Sequence, residues 1–275
     1  MASSPSTPVM KEDGECRNWS ELPYELMASI LCRLCTIDIL ENVQKVCTSW
    51  HRVCKDPEMW RKIEFRYIGD KEYNLEIMCR HAVDRSQGGL LEIDISCFGT
   101  DSLLNYIADR LLVSLSLFLK ILYRLVHSRE AIGKLPLLEE LQITEFAMWE
   151  CYLKVVGQSC PKLNTLKLNC FRIGFDPPFY VSDDDALAIA ETMHGLRFLK
   201  LFSNGLTDAG LKAILDNCPD LEHLDLNHCF NVNFSGDLEK RCSERIKVLV
   251  RPGSPRIFDF SIFEDSDTLD SDHDL

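Results

Sequence analysis

The feature that most constrains this chain is an apolar pattern with the spacing L-x-x-L-x-L, which recurs along most of its length. The step between middle residues is 25 from Leu141 to Leu166, 33 from Leu166 to Leu199 and 25 from Leu199 to Leu224. Periods in this range are typical of repeat proteins. The copies are Leu90-Ile93-Ile95, Leu112-Leu115-Leu117, Leu138-Leu141-Ile143, Leu163-Leu166-Leu168, Leu196-Leu199-Leu201 and Leu221-Leu224-Leu226, with a weaker one around Val248.

The pattern predicts a solenoid of short strand–helix units over residues 88–252. No unit buries its apolar face until the next unit stacks against it. The helical halves carry signals of their own: Thr207 and Ser182 are placed to cap helices, and the three aspartates at 183–185 favour a helix N-terminus over a metal site. The fold class is therefore α/β, with about six or seven strand–helix repeats.

The most apolar run is LLVSLSLFLKILY, residues 111–123. A membrane-spanning helix needs about 20 apolar residues, whereas this run has 13 residues with Lys120 among them. It supplies instead the copy missing between Ile93 and Leu141, and the N-terminus has no apolar segment of the signal-peptide kind. We therefore expect a soluble chain of the nucleus or cytoplasm, with a short membrane anchor at 111–123 as the alternative.

Charge argues against nucleic acid as a partner. The net charge is −13, and the residues after Ile257 hold seven Asp and Glu with no Lys or Arg. No basic stripe is present to neutralise phosphates. We interpret residues 253–275 as an acidic disordered tail, whose serines are candidate phosphate acceptors, and residues 1–18 as a disordered N-terminus.

The 13 cysteines recur in the phrases SCF, SCPK, NCPD and NHC, which indicates small buried thiols kept reduced. Cys32, Cys35, Cys47, His51 and Cys54 lie close in sequence but lack the two paired knuckles of a structural zinc site. No metal, cofactor or catalytic residue is predicted, because no recognisable acid–base motif or phosphate loop occurs. A Cys–His dyad keeps an enzyme open as an alternative.

Residues 19–66 predict a module of three helices. Pro23 opens the first helix, and Asp56-Pro57 begins a third that presents Trp60 and Ile63. The second carries an apolar stripe at helical spacing, made of Ile39, Val43, Val46, Cys47, Trp50, Val53 and Cys54. A unit of about 45 residues buries too little surface to be stable alone, so a partner or the rest of the chain must complete it. Residues 67–87 are expected to be a linker or cap for the solenoid.

This module resembles an F-box. The resemblance rests on the ordered set Leu22-Pro23-x-Glu25-Leu26, Ile30-Leu31, Asp38, Val46-Cys47-x-x-Trp50 and Pro57-x-x-Trp60. Cys35 departs from it, standing where an F-box often has Pro. The resemblance implies docking on the Skp adaptor of a Skp–cullin–F-box ubiquitin ligase, and through it association with the cullin and RING subunits. The residues it implicates, as contacts or as support, are Leu22, Pro23, Leu26, Ile30, Leu34, Ile37 and Trp50.

The phrases CPDLEHLDLNHC and CPKLNTLKLNC resemble the cysteine-containing leucine-rich repeats of F-box proteins, and the whole chain is similar to the F-box/LRR-repeat proteins of flowering plants. This implies a non-catalytic substrate-recognition subunit whose repeats bind an unidentified protein for ubiquitination. The candidate substrate-facing residues, which alternate with the template leucines, are Thr165, Lys167, Phe198, Lys200, Phe202, His223, Asp225 and Asn227. The alternative is a leucine-rich-repeat scaffold whose F-box-like module recruits no ligase.

Two segments depart from the family pattern. Extra residues around FDPPFYVS indicate a loop insertion, under which Phe198 or Phe202 packs if it is not a partner anchor. After Leu117 the usual cysteine and helix cap are missing. One hypothesis is that residues 111–130 come from a shifted or unspliced reading frame, which detection of their peptides in the native protein by mass spectrometry would contradict.

Overall fold

The computed structural model describes residues 19–65, 73–95, 98–111, 117–122, 129–144, 152–170 and 181–254. The predictions of a disordered N-terminus and of an acidic tail beyond Ser254 lie outside the described residues. So do most of the insertion, at 171–180, and residues 112–116 of the apolar run.

The N-terminal module is built from short helices. Its α-helices are α1 (Tyr24–Leu31), α2 (Thr36–Glu41) and α3 (Thr48–Val53), and its 3₁₀ helices are Trp19–Glu21, Val43–Lys45 and Pro57–Trp60. The last of these begins as predicted at Asp56, whose carboxylate accepts a hydrogen bond from the Glu58 amide at 2.9 Å.

Strands and helices alternate through the rest of the described chain. The strands are β1 (Lys62–Glu64), β2 (Glu92–Ile95), β3 (Leu117–Leu122), β4 (Leu138–Thr144), β5 (Thr165–Asn169), β6 (Phe198–Phe202), β7 (His223–Asp225) and β8 (Val248–Val250). The helices are α4 (Leu75–Arg85), α5 (Asp101–Arg110), α6 (Arg129–Gly133), α7 (Tyr152–Ser159), α8 (Asp184–Thr192), α9 (Asp208–Asn217) and α10 (Gly236–Arg245).

The strands form one parallel sheet in sequence order, β1 to β8, and successive helices pack against each other beside it. One aliphatic residue of each strand stands in register with that of the next. These residues, each at most 1% exposed from β1 to β7, are Ile63, Ile93, Leu119, Leu141, Leu166, Leu199 and Leu224. Alternate residues point to the other, open face of the sheet. The predicted α/β solenoid is thus confirmed.

The solenoid begins earlier than the sequence indicated. Ile63 belongs to β1 and pairs with Ile93, so the predicted third helix of the module is a single turn followed by a strand. Trp60, Ile63 and Phe65 carry the repeat spacing with other residue types, and all three are buried. Helix α4 lies within the predicted linker 67–87 and packs on β1. With β1 included, the sheet formed by the described residues has eight strands, where the sequence indicated about six or seven repeats.

The strand in the apolar run lies further along than predicted. Leu119, not Leu115, pairs with Ile93 and Leu141, so the copy placed at Leu112-Leu115-Leu117 was wrong by four residues. Apolar residues fill so many positions of this run that several frames fit the template, and only pairing with β2 and β4 selects one. Among the helices of the described residues, none has the length and apolarity needed to cross a membrane.

The predicted buried thiols are confirmed where the structure describes them. Cys160, Cys218 and Cys229 of the quoted phrases are all buried, whereas Cys97 lies outside the described residues. Burial raises the pKa of the Cys160 thiol to about 12 and that of Cys218 to about 11. These thiols are therefore core side chains whose burial favours the protonated form.

The register of β3 generates a stability prediction. Leu119→Ala removes a side chain that is 1% exposed and leaves a cavity between β2 and β4, so we expect a loss of about 2–4 kcal/mol of unfolding free energy. Leu187→Ala on α8, where the side chain is 46% exposed, is the matched control, with an expected change within about 0.5 kcal/mol. Urea denaturation of both variants gives the comparison, and equal midpoints would contradict the register.

Candidate binding surfaces

Helix α1 divides its apolar residues between core and solvent. Met27 and Leu31 are buried, while Leu26 and Ile30, one turn apart, are 56% and 43% exposed. Leu34, just beyond the helix, is also exposed. The helix therefore has two apolar faces, of which the described part of the chain covers one.

Further exposed apolar side chains belong to the same module. We call the whole group the exposed apolar set: Trp19, Tyr24, Leu26, Ile30, Leu34 and Val46. Sequence analysis missed Trp19 and Tyr24, and it assigned Val46 to the buried stripe of the second helix. A cluster of large exposed apolar side chains on a folded module commonly marks an interaction site.

The other predicted adaptor residues are placed differently. Pro23 is exposed at the N-cap position of α1, and Leu22 packs partly against the core. Trp50 is half-buried and its indole Nε1–H donates to the Trp19 carbonyl at 3.4 Å. Ile37 is only 2% exposed, so its position is that of a core residue.

A hydrogen bond fixes the start of α1. The Tyr24 hydroxyl donates to the Asp56 carboxylate, which raises the pKa of Tyr24 to about 12 and lowers that of Asp56. Asp56 in turn caps the turn at Pro57–Trp60. The exposed face of α1 is thus held at a fixed position relative to β1, which follows that turn.

The open face of β6 presents three of the predicted substrate residues, Phe198, Lys200 and Phe202, and all three are partly exposed. The Phe198 ring stacks on His223 of β7, with centroids 3.9 Å apart and planes inclined by 19°. On the other side, the Lys167 ammonium lies 5.2 Å from the Phe198 centroid. Phe198 therefore packs between neighbouring strands and remains accessible from the open face.

Phe202 begins an aromatic row at the end of β6. Its centroid lies 4.8 Å from that of His228, and the His228 and Phe230 centroids are 5.4 Å apart. His228 has a φ of 62°, an uncommon conformation for a residue with a side chain, and Phe230 is more than half exposed. Sequence analysis missed both residues because they lie in the turn after β7, outside the alternating template.

Asp225 and Asn227 do not extend into solvent as predicted. Both are buried, and the Asp225 carboxylate accepts a hydrogen bond from the backbone N–H of Asn227 at 3.0 Å. This pair shapes the turn that follows β7. Of the substrate-facing candidates, Thr165, Lys167, Phe198, Lys200, Phe202 and His223 remain partly exposed.

The three consecutive aspartates have three separate roles. Thr207 caps α9 as predicted. The Asp183 carboxylate, at the start of α8, accepts hydrogen bonds from the backbone N–H and the hydroxyl of Thr207, both at 2.7 Å. Ser182 accepts from the Asp184 amide at 3.1 Å, although α8 starts one residue later than a Ser182 cap implies. Asp183 thus joins adjacent repeats, whereas Asp184 bonds with Ser182 at the start of its own helix.

Asp185 is the buried member of this run. Asn204, which follows the end of β6, donates to its carboxylate at 2.9 Å. Burial raises the pKa of Asp185 to about 6, the charge of Asp184 adds to this effect, and the Asn204 hydrogen bond opposes it. Within the described ranges no group of three or more His, Cys, Asp or Glu is arranged to hold a metal ion.

Comparison with known proteins places the chain among close relatives. Residues 19–66 match the F-box-like family. The chain is 55% identical to the F-box protein SKIP19 of Arabidopsis thaliana, over 100% of this chain and 91% of that protein. It is 49% identical to the putative F-box/LRR-repeat protein 22 of the same plant, over 96% and 87%, and 52% identical to the putative F-box/LRR-repeat protein 23, over 91% and 57%.

The buried carboxyl of Asp185 generates a prediction on pH. Because its pKa is raised in the folded state, the native protein binds this proton more tightly, and stability falls as pH rises from about 4 to 6. Asp185→Asn keeps an acceptor for Asn204 but cannot ionise. We expect the variant to gain about 1–3 kcal/mol over the wild type between pH 4.5 and pH 7.5.

Urea denaturation at the two pH values measures this difference. Asp220→Asn, at an exposed position in the turn after α9, controls for the removal of one negative charge from the protein. A stability difference between Asp185→Asn and wild type that does not change with pH would contradict the buried-carboxylate assignment.

Proposed function

The chain belongs to the F-box/LRR-repeat proteins of plants, and on that basis we propose that it is the substrate-recognition subunit of a Skp–cullin–F-box ubiquitin ligase. The F-box module would bind the Skp adaptor, which connects it to the cullin and RING subunits. The repeats would bind a protein substrate for ubiquitination and degradation. In this role the chain itself is a non-catalytic adaptor.

The observation that carries this proposal is the second apolar face of α1. Leu26 and Ile30 are about half exposed although neighbouring residues of the same helix are fully buried. Complete burial of a leucine or isoleucine side chain contributes roughly 1.5–3 kcal/mol, so a partner that covers this face gains a substantial fraction of that for each residue. Trp19 and Val46 add further exposed apolar area on the same module.

Within the predicted adaptor set, we assign contact and support to different residues. Leu26, Ile30 and Leu34 are the proposed contacts, with Pro23 setting the start of α1. Ile37 is a core residue, and the half-buried Leu22 and Trp50 would support the module while touching the adaptor at its edge. Substitution of a supporting residue would weaken binding through the fold.

The second part of the proposal concerns geometry. The F-box module and the solenoid share structure, because the Thr36 hydroxyl at the start of α2 accepts from the Glu64 amide of β1 at 3.1 Å. The Trp60 indole also donates to the Cys54 carbonyl at 2.9 Å within the common core. A substrate on the open face would thus be held at a fixed distance from the adaptor, which raises the effective concentration of its lysines near the ubiquitin donor.

Co-purification with a plant Skp adaptor tests the proposal. The wild-type chain should form a stoichiometric complex, and the double variant Leu26→Asp/Ile30→Asp should lose it, because two charges would be buried at the interface. Leu22→Ala/Pro23→Ala should weaken it. Ile77→Asp on α4, where the side chain is 51% exposed, is the matched control and should bind as the wild type does.

The result also separates the two candidate functions. If the wild-type chain is folded and monomeric but does not bind the adaptor, the F-box-like module is only a cap of the solenoid, and the protein is a leucine-rich-repeat scaffold. Equal loss in the Ile77→Asp control would show that the variants act through misfolding, and the assignment of α1 would then fail.

A further inference from the structure

Charge is distributed unevenly over the open face of the sheet. The first two strands present three carboxylates and one lysine, which lies 3.0 Å from one of the carboxylates: Glu64, Glu92, Asp94 and Lys62. The outward positions of β5 and β6 carry Lys167 and Lys200 and no carboxylate. In a chain with a net charge of −13, this part of the face differs in sign from its surroundings.

The two lysines differ in their partners. Lys167 forms an ion pair with Glu140 of β4. Lys200 lies next to Asp225 in the ladder, but that carboxylate is buried and accepts from the Asn227 amide. No ion pair of Lys200 occurs among the residues that the structure describes, and its ammonium lies 5.7 Å from the Phe202 centroid. Lys200 therefore retains a cation for a ligand.

Aromatic side chains stand on both sides of this cation. Phe198 and Phe202 precede and follow Lys200 by two residues, so the three side chains leave one face of β6 about 7 Å apart. His223 stacks on Phe198, and His228 and Phe230 continue the row from Phe202. We call Phe198, Lys200 and Phe202 the β6 row.

An unsatisfied acceptor lies beside the row. The side-chain oxygen of Asn227 is buried and accepts no hydrogen bond within the described part of the chain. Asn227 directly precedes His228. The backbone carbonyl of Asn227 accepts a hydrogen bond from the backbone N–H of Ser203, the residue after Phe202. Because this oxygen is buried, a ligand on the open face does not reach it, and Asn227 contributes instead by holding the turn that places His228 beside Phe202.

We propose that the β6 row binds an acidic peptide segment of a partner protein, in which a carboxylate stands between two aromatic side chains. The carboxylate pairs with Lys200, and the aromatic side chains pack on Phe198 and Phe202. This inference rests on the proposed function in one respect only, since it identifies that peptide segment as the recognition element of the substrate.

The geometry specifies the spacing of the ligand. In an extended peptide, residues two apart point to the same side and repeat at about the interval of the β6 row. A peptide lying along β6 therefore presents aromatic, acidic and aromatic side chains at positions i, i+2 and i+4. Phe-Ser-Glu-Ser-Phe is the simplest such sequence.

The experiment uses this peptide with glycine at each end and a fluorescein label, titrated with the full-length chain and followed by fluorescence anisotropy. We expect saturable binding that weakens as salt increases. Lys200→Glu should weaken it at least about fivefold, because attraction becomes repulsion, and Phe202→Ala should also weaken it. Lys212→Glu on the exposed surface of α9 makes the same charge change away from the row and should leave binding unchanged.

A charge exchange makes the test independent of folding defects. The peptide Phe-Ser-Lys-Ser-Phe should bind the Lys200→Glu variant more tightly than it binds the wild type. Equal binding of the acidic peptide to wild type and Lys200→Glu, or no saturation with any chain, would overturn the proposal. Binding that appears only when the chain ends at Ser254 would overturn the assignment to a partner, because residues 255–275 would then be the occupant.

The outcome is separable from that of the adaptor experiment. Peptide binding is measured on the chain without the adaptor, through residues of β6, whereas co-purification tests α1. If the chain binds the peptide but not the adaptor, the open face is that of a peptide-binding module, and only the proposed role in a ligase is contradicted. The reverse result retains the ligase and removes the acidic-peptide class.

Discussion

The structure depends on one repeated contact: an inward aliphatic side chain on each strand, in register with its counterpart on the next strand. The inward side chain of one strand is buried only when the strands before and after it are in place, so every unit needs its neighbours to be stable. This ladder of buried aliphatic side chains begins at Ile63, inside the segment that carries the F-box pattern, and continues through Leu224. The helical module, too small to be stable alone, is completed by the same core.

This shared core determines how the two surfaces relate. Since β1 belongs both to the module and to the sheet, the exposed face of α1 and the open face of β6 are parts of one packed body. The core uses Met27 and Leu31 of α1 and leaves Leu26 and Ile30 to solvent. On the sheet, every second residue is buried in the core and the alternate residues lie on the open face. Both surfaces therefore consist of side chains that the core does not bury.

Local sequence signals were sufficient to predict part of this structure. The Asp56 and Thr207 caps were predictable because capping involves neighbouring residues only. The parallel solenoid followed from the repeat spacing. The position of β3 did not, because its apolar run fits several frames and the pairing of Leu119 with adjacent strands decides among them. β1 was missed because Trp60, Ile63 and Phe65 fill the repeat positions without a leucine.

The sequence by itself therefore determined the order of modules, the repeat, the family resemblance and the residues that alternate with the core. Only the tertiary structure decided which of them are accessible. Ile37 is buried and Leu26 exposed, although both are apolar residues on short helices, because burial depends on which neighbouring elements pack on each face. Likewise Asp225 turns to the backbone of its own loop while Lys200 beside it stays free of ion pairs within the described chain. Spacing along the chain fixes which side chains share a face, but contacts between distant segments fix which faces are covered.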